Sequence, residues 1–320
     1  MAFTIEGVPP QTGKVVIITG ASSGIGLEAA RVLAKKGAHV IMACRNLGKS
    51  QPLADEINSE CAETGGKATL VRLDTTDLDS IDSFSNELQA ASITQLDVLL
   101  LNAGIMMVQW ATRPSRSELH PEIESQMSCN VVGHFYLVQK MLPLIRSTPG
   151  ARVITVSSLA ADQTNPTDSI NYDVFLAKTP EEYSKMNSYC ESKLSCLLLA
   201  HELDRRFKQA NIDAFAISAH PGYSRTSLQP RSDSFLFKIF LYATLPFSMK
   251  AEGGGLVLSM AATADRSEIP PNPYFTPGGF QGLSGAPIAN GKMCAHARDD
   301  AQAFKLWETC EELCAVTSDI

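Results

Sequence analysis

Short apolar runs alternate with longer amphipathic stretches along this sequence, and this alternation restricts the fold more than any other feature. Each run is rich in Val, Ile and Leu, and a helix-compatible segment follows it. Continuous apolar strands are expected when helices cover both faces of a parallel sheet. The pattern therefore predicts an α/β fold with a doubly wound parallel sheet. The predicted strands are Lys14–Thr19, Ala38–Ala43, Ala68–Leu73, Asp97–Leu101, Arg152–Ser157 and Asp213–Ser218.

The 320 residues are expected to form a single domain, because no fixed repeat or low-complexity linker divides them. Two segments depart from the alternation: an insertion at about 159–187 and a C-terminal extension at about 225–320. In doubly wound sheets, ligands bind beyond the carboxyl ends of the strands. We therefore expect both segments to surround a binding face.

Charge and cysteine content argue against several classes of protein. Lys plus Arg total 27 against 34 Asp plus Glu, and the net charge of −7 disfavours nucleic acid as a partner. The eight cysteines lack metal-ligand spacing, so we expect reduced thiols and no metal site. No targeting signal is visible, and the most apolar stretch, Phe235–Phe247, is shorter than the ~20 residues that cross a bilayer. A cytoplasmic protein without a transmembrane segment is expected.

A glycine-rich turn joins the first predicted strand to a helix. The strand Lys14–Thr19 runs into the letters GASSGIG at positions 20–26, and a helix pattern follows at Leu27–Lys36. Glycines let the backbone approach a pyrophosphate, and the N–H groups that begin a helix attract its charge. A tight turn that binds nothing is the alternative. Three glycines between a buried strand and a helix favour a dinucleotide site.

The end of the second predicted strand indicates which nicotinamide cofactor is bound. An acidic residue there usually accepts hydrogen bonds from the ribose 2′-hydroxyl of NAD. This chain has Cys44 at that position and Arg45 directly after it. A guanidinium binds phosphate oxygens strongly, which suits the 2′-phosphate of NADPH. The sequence therefore predicts NADPH over NADH, against the alternative of a surface arginine without a ligand.

Tyr189 and Lys193 are four residues apart and therefore share one helix face. A phenol normally titrates near 10, and an adjacent ammonium favours its phenolate form. Spacing alone would favour an ordinary amphipathic helix, since Tyr136 and Lys140 have the same spacing. Only the first pair follows a strand that ends in hydroxyl groups, which indicates acid–base chemistry.

Two serines end that strand, and the residues alone do not choose between them. Ser157 and Ser158 cannot both face a pocket, because successive strand residues point to opposite sides of a sheet. One of the two is expected to be near Tyr189.

Together, these motifs resemble the short-chain dehydrogenase/reductase family. The resemblance covers about residues 12 to 264 and rests on TGASSGIG, on Asn102-Ala103-Gly104, on YCESK and on PGYSRT. The family's NNAG motif has Leu101 here in place of its first Asn. Narrower similarity to retinol-dehydrogenase-like and WW-domain-oxidoreductase-like members lies in YCESKL, HPGYSRTSLQ and ARDDAQAFKLWETCEEL. The resemblance implies a Rossmann-like fold.

The resemblance also implies roles for individual residues. It selects Ser158, and it makes Tyr189 the general acid/base with Lys193 holding the nicotinamide ribose. Asn130 would hold a water that links Lys193 to solvent, and Asp74 would meet the adenine. The implied cofactor-binding residues are Gly20, Ser22, Ser23, Gly24, Ile25, Gly26, Arg45, Asp74, Thr75, Asn102, Ala103, Gly104, Tyr189, Lys193, Pro221, Gly222 and Thr226.

The expected function is an NADPH-dependent oxidoreductase that interconverts a carbonyl compound and an alcohol by hydride transfer. A lipophilic ketone or aldehyde is expected, because apolar residues would surround it: Met106, Met107, Val108, Leu159, Tyr223 and the segment Phe235–Phe247. The resemblance suggests a homodimer or homotetramer through the helices around Glu122–Ile145 and Asn187–Gln209. Two alternatives stay open: an NADPH-binding sensor or interaction protein without turnover, and a sugar-nucleotide epimerase or dehydratase.

Overall fold

The computed structural model describes residues 3–163, 169–224 and 248–320. Apolar, β-branched segments form its strands, as the sequence predicts. In chain order, the strands are β1 (Val15–Thr19), β2 (His39–Cys44), β3 (Lys67–Arg72), β4 (Val98–Leu101), β5 (Thr112–Pro114), β6 (Glu122–Glu124), β7 (Ala151–Val156), β8 (Ala214–Ala219), β9 (Tyr274–Pro277) and β10 (Pro287–Ile288).

Eight of these strands form one sheet in the order β3-β2-β1-β4-β7-β8-β9-β10. The first seven run parallel, and β10 pairs antiparallel with β9. β5 and β6 pair separately as a short antiparallel ribbon. All six predicted strands are present with bounds within one residue, so the predicted fold class is confirmed. The alternation of apolar and amphipathic segments does not predict β9 and β10, which the C-terminal extension adds to the sheet.

Helices cover both faces of the sheet. They are α1 (Gly24–Lys35), α2 (Leu47–Glu60), α3 (Leu78–Ala90), α4 (Ser125–Met127), α5 (Gly133–Ser147), α6 (Tyr172–Phe175), α7 (Lys185–Gln209), α8 (Ala251–Thr263) and α9 (Asp300–Cys314). Several begin with a side chain that accepts a hydrogen bond from a free N–H of the first turn, as Asn46 does for α2, Asp77 for α3 and Ser184 for α7.

The core lies on both sides of the sheet. Along β1, Ile17 packs with α3, α5 and α7, whereas Val16 and Ile18 pack with α1, α2 and α8. All three side chains are fully buried. This two-sided burial explains why inner strands such as β1, β4 and β8 show no alternation of apolar and polar residues.

The order of the strands places the functional end of the sheet. β1 lies between β2 and β4. The chain places β2 and β3 on one side of β1, and then crosses over to place β4 and the later strands of the sheet on the other side. Ligands of such sheets bind in the crevice at this point. The glycine turn after β1 and the Asn102–Gly104 loop after β4 therefore flank one crevice.

The last helix covers the outer faces of α5 and α7. Trp307 of α9 is buried, with its ring edge-on to Phe135 of α5 at 4.9 Å between centroids. The guanidinium of Arg206 on α7 lies 4.3 Å from the Trp307 ring centre. These are the helices through which the resemblance suggested self-association. A dimer through the surface beneath α9 would have to displace that helix.

Among the helices of the three described ranges, none combines the length and the hydrophobicity of a membrane-spanning segment. The segment Phe235–Phe247 lies outside those ranges.

Candidate active site

The Tyr189–Lys193 pair lies in the first turns of α7, beside the end of β7. Both side chains are more than nine-tenths buried. The Nζ atom of Lys193 donates a hydrogen bond to the Val156 carbonyl at 3.0 Å and lies 5.8 Å from the centre of the Tyr189 ring. The structure therefore brings the predicted phenol and ammonium together and anchors the ammonium to the sheet.

The two serines after β7 have different surroundings. Ser157 is buried, and its hydroxyl donates to the Lys193 carbonyl at 2.7 Å, so it ties α7 to the sheet. Ser158 is half-buried, and its Oγ accepts from the Ala160 N–H at 3.2 Å. Its hydroxyl proton has no acceptor within the described ranges. This difference favours Ser158 as the serine available to a substrate.

Asn130 lies in a π-helical turn, Ser128–Val132, between α4 and α5. Its Oδ1 accepts from the Ile105 N–H at 2.9 Å. Its Nδ2 donates to the Ile105 carbonyl at 3.0 Å and to Ser192 Oγ at 2.9 Å. Both amide protons are therefore used within the protein, and the side chain fixes the loop after β4. A water that links Lys193 to solvent would have to find its hydrogen-bond donor elsewhere.

Gly104, in the loop after β4, lies close to Lys193 of α7 and to Asn130 of the π-helical turn. A Cβ at this glycine would lie 3.6 Å from Lys193 Nζ and 3.2 Å from Asn130 Oδ1. The loop after β4 therefore runs directly past the ammonium. This places the predicted cofactor loop and the predicted catalytic residues in one site.

Eleven of the seventeen predicted cofactor residues line a cleft of about 250 Å³ at the crevice between β1 and β4. Arg45, at the end of β2, is exposed on its rim and makes no salt bridge with the described residues. Cys44 is buried instead, and burial raises the pKa of its thiol. The predicted residues that line the cleft are Gly20, Ser22, Ser23, Gly24, Ile25, Arg45, Asp74, Thr75, Asn102, Ala103 and Gly104.

The glycine turn fits against the loop after β4. Gly20 has φ +68°, a conformation that residues with a Cβ rarely adopt. A Cβ at Gly26 would lie 2.3 Å from Asn102 Nδ2, so a larger residue would displace that amide. Gly26 thus supports the cleft without lining it.

The cleft has features that suit a dinucleotide. The first turn of α1 contains no acidic residue, so its N–H groups can face an anion. The Oδ1 atom of Asn102 is buried and finds no hydrogen-bond partner among the described residues. A ligand hydroxyl or amide could supply the missing donor. The residues present therefore fit a nicotinamide dinucleotide.

The loop after β8 is described only in part. The Gly222 N–H donates to His220 Nδ1 at 3.1 Å, and the Tyr223 N–H donates to the Leu283 carbonyl at 2.9 Å. The C-terminal extension thus holds the loop that contains Pro221 and Gly222. Thr226, the remaining predicted residue of this motif, lies outside the described residues.

Gln126 is a buried polar residue beside the predicted substrate side that no sequence motif predicts. Gln126 accepts from the Met107 N–H at 2.7 Å and donates to Tyr183 Oη at 2.9 Å. The Tyr183 hydroxyl donates to the Val108 carbonyl at 3.0 Å. The insertion is therefore tied to the loop after β4. No sequence signal pairs Gln126 with Tyr183, because they are 57 residues apart and belong to no common motif.

The second pair with the same spacing has a different environment. The Tyr136 hydroxyl donates to Asp82 Oδ1 at 2.9 Å, and Lys140 Nζ lies 2.6 Å from the same oxygen. Burial raises the pKa of Tyr136. Asp82 thus neutralises the ammonium and accepts a hydrogen bond from the phenol, so this pair forms an ion cluster away from the cleft.

Comparison with known proteins identifies the family. The family profile described as short chain dehydrogenase matches residues 14–172. Retinol dehydrogenase 12 of Homo sapiens is 32% identical over 308 residues, which cover 95% of this chain and 87% of that protein. A WW domain-containing oxidoreductase of Gallus gallus is 32% identical over 307 residues, covering 94% of this chain and 68% of that protein.

A solved structure supports the same conclusion. An uncharacterized protein from Mycobacterium Paratuberculosis is 30% identical, with a TM-score of 0.76, and the match covers 100% of both chains. The similarity to retinol dehydrogenases and WW domain-containing oxidoreductases confirms the subgroup that the short motifs indicated. The chain therefore belongs to the short-chain dehydrogenase/reductase family and is an NAD(P)-dependent oxidoreductase.

Proposed function

We propose that this protein is an NADPH-dependent oxidoreductase that interconverts a lipophilic ketone or aldehyde and the corresponding alcohol. One observation carries the proposal: the Lys193 ammonium lies 5.8 Å from the centre of the Tyr189 ring, beside a cleft that fits a dinucleotide. The same neighbourhood would suit a protein that binds the cofactor without turnover, so the experiment below separates the two.

The chain's own residues would hold the cofactor along the cleft. The glycine turn and the first N–H groups of α1 would bind the diphosphate, and Asp74 would lie near the adenine. Arg45 would bind the 2′-phosphate, which supports NADPH over NADH because its charge has no other partner among the described residues. Bound NADPH supplies the hydride.

Tyr189 would exchange the proton of the reaction. In the reducing direction it donates its hydroxyl proton to the carbonyl oxygen, and in the oxidising direction it takes the proton back. The positive charge of Lys193 stabilises the negative charge that Tyr189 acquires on losing this proton. Ser158 would donate a second hydrogen bond to the substrate oxygen, and Asn130 would keep the loop after β4 in place.

A lipophilic substrate is supported by the loop after β4. Met106, Met107 and Val108 are half-buried beside the tied-down insertion, and Leu159 and Tyr223 are half-buried as well. All five side chains are apolar or aromatic, so an apolar molecule could pack against them without removing a charged group from water. We also propose that residues 1–320 form one domain, because β9 and β10 extend the same sheet as β1.

The experiment replaces Tyr189 by Phe and follows NADPH oxidation with a panel of apolar and polar carbonyl compounds. Because Phe keeps the ring but loses the transferable proton, we expect turnover to fall at least 100-fold, in line with the usual contribution of general acid catalysis. The Kd for NADPH should stay within about threefold of the wild-type value. The matched control is Tyr136→Phe, which alters the tyrosine of the ion cluster.

Equal turnover in the Tyr189→Phe variant and the wild type would contradict the acid/base role. Tight NADPH binding by the wild type without oxidation by any carbonyl compound would favour the sensor instead.

A further inference from the structure

His134 is a buried histidine in the first turn of α5 that contacts residues of two predicted motifs. Its exposed fraction is 2%. Its Nε2 atom lies 3.0 Å from Thr19 Oγ1, and its Nδ1 atom lies 3.1 Å from the Asn130 carbonyl oxygen. Burial lowers the pKa of His134 to about 3, and the nearby Lys193 ammonium acts in the same direction. The imidazole is therefore neutral at ordinary pH, with one donor and one acceptor nitrogen.

The partners determine which nitrogen carries the proton. The Asn130 carbonyl can only accept, so Nδ1 of His134 must donate to it. Nε2 is then an acceptor, and the Thr19 hydroxyl must donate to it. The Thr19 oxygen in turn accepts from the N–H groups of Asn102 at 2.9 Å and Ala103 at 2.8 Å, which can only donate. These bonds form a hydrogen-bond chain in which every direction is fixed. The Asn102 and Ala103 N–H groups donate to Thr19, Thr19 donates to His134, and His134 donates to the Asn130 carbonyl.

The alternative acceptor for the Thr19 hydroxyl is less favourable. The Leu100 carbonyl lies 3.4 Å from Thr19 Oγ1, against 3.0 Å for His134 Nε2. If the hydroxyl turned to Leu100, the acceptor nitrogen of His134 would be left buried without a donor, which is costly. The shorter contact therefore satisfies both groups.

This hydrogen-bond chain connects three parts of the site. Thr19 ends β1 just before the glycine turn, Asn102 and Ala103 begin the loop after β4, and Asn130 lies in the π-helical turn. We propose that His134 is a positioning residue that holds these three parts in the arrangement that binds the cofactor. The effect on cofactor binding rests on the proposed function, whereas the direction of the hydrogen bonds does not.

The first test measures the tautomer of His134 directly. In protein labelled with ¹⁵N-histidine, long-range ¹H–¹⁵N correlation spectra distinguish a protonated from an unprotonated ring nitrogen. The His134→Gln variant assigns the signal by its disappearance. We expect a proton on Nδ1 and none on Nε2, unchanged from pH 5 to pH 8, both without and with NADPH. A proton on Nε2, or a titration in that range, would overturn the proposal.

The second test measures NADPH binding by fluorescence in single and double variants. His134→Phe and Thr19→Val each interrupt the hydrogen-bond chain. We expect each variant to raise the Kd for NADPH about tenfold. Because both break the same chain, the double variant should bind little more weakly than either single variant. Thr19→Ser restores a hydroxyl and should recover most of the affinity lost in Thr19→Val.

The matched control is Thr155→Val in β7. Thr155 is a buried strand threonine whose hydroxyl donates to the Cys196 carbonyl at 2.8 Å, outside the chain of His134. We expect this control to lower the melting temperature while leaving the Kd for NADPH unchanged. Equal losses of affinity in Thr155→Val and Thr19→Val, or additive losses in the double variant, would overturn the positioning role.

The outcomes also separate this inference from the proposed function. If the wild type binds neither NADPH nor NADH, the proposed function is wrong. The tautomer measurement still tests whether His134 forms the hydrogen-bond chain in the predicted direction. If the wild type binds NADPH and the His134→Phe and Thr19→Val variants bind it equally well, the positioning role is wrong and the proposed function stands.

Discussion

At the scale of single residues, we expect Arg45 to be the main determinant of the proposed preference for NADPH. Arg45→Asp removes the positive charge at the rim of the cleft and supplies the acid that a ribose 2′-hydroxyl prefers. A charged hydrogen bond contributes about 1.5–3 kcal/mol, so the kcat/KM ratio of NADPH to NADH should fall about 10- to 100-fold. Lys67→Asp, an equal change of charge at the far end of β3, is the control.

Steady-state kinetics with both cofactors measure this ratio. If Arg45→Asp leaves the ratio unchanged, the interpretation of Arg45 as the 2′-phosphate ligand is wrong.

We expect the buried Glu191 carboxyl to make the stability of the fold depend on pH. Burial raises its pKa to about 7, the Asn171 N–H opposes this, and the nearby Glu124 carboxylate adds to it. A carboxyl whose pKa is raised by folding stabilises the fold below its unfolded pKa of 4.5, and this stabilisation is lost as the pH rises through about 7. Glu191→Gln cannot ionise and keeps an acceptor for Asn171. The unfolding free energy of the variant, relative to that of the wild type, should therefore be up to about 3 kcal/mol higher at pH 8 than at pH 4.5.

Urea unfolding at a series of pH values measures this difference. Glu202 on the same helix is the control with the opposite sign: burial raises its pKa, but hydrogen bonds from Arg205 and Arg206 outweigh burial and lower it. Glu202→Gln should lose stability at neutral pH. If the difference in unfolding free energy between the wild type and Glu191→Gln does not vary with pH, Glu191 is not the source of the pH dependence.

At the level of single residues, the sequence indicates which groups are candidates for catalysis but not which residues contact them. Tyr189 and Tyr136 have the same spacing to a lysine, and only the structure shows that Asp82 neutralises the second lysine. Asp82 lies on α3, far from both tyrosines in sequence. Short-range spacing cannot reveal such a contact.

At the level of elements, the Tyr183 phenol helps to hold the insertion against the loop after β4. Tyr183→Phe removes the hydrogen bonds to Gln126 and to the Val108 carbonyl, so the loop that lines the predicted substrate side should loosen. We expect KM for the carbonyl substrate to rise about threefold to tenfold, with a loss of about 1 kcal/mol in stability. Tyr172→Phe is the matched control, because no hydrogen-bond partner of the Tyr172 hydroxyl lies within the described ranges.

Substrate-saturation curves and thermal melts measure both effects. A similar rise in KM for Tyr172→Phe would show that any change in the insertion has this effect, and that Tyr183 has no special role.

At the level of the whole molecule, the C-terminal extension completes both the sheet and the helical layer. Trp307→Ala leaves a cavity between α5, α7 and α9, and should cost about 3–5 kcal/mol of unfolding free energy. If the chain is one domain, unfolding should remain a single transition at a lower temperature. Phe304→Ala on the same helix is the control, since Phe304 is 45% exposed.

Calorimetry separates the outcomes. Two separate transitions in the wild type would contradict a single domain over residues 1–320, and equal shifts in the two variants would contradict the structural role of Trp307.

The sequence by itself determined the parallel sheet, the glycine turn and the Tyr189–Lys193 pair. These features depend on residues that are neighbours in the chain, where periodicity and spacing act directly. Only the tertiary structure decided that Ser157 binds the Lys193 carbonyl, that His134 joins Thr19 to Asn130, and that α9 covers α5 and α7. Such contacts join distant parts of the chain, and the packing of the sheet and its helices brings them within hydrogen-bonding distance.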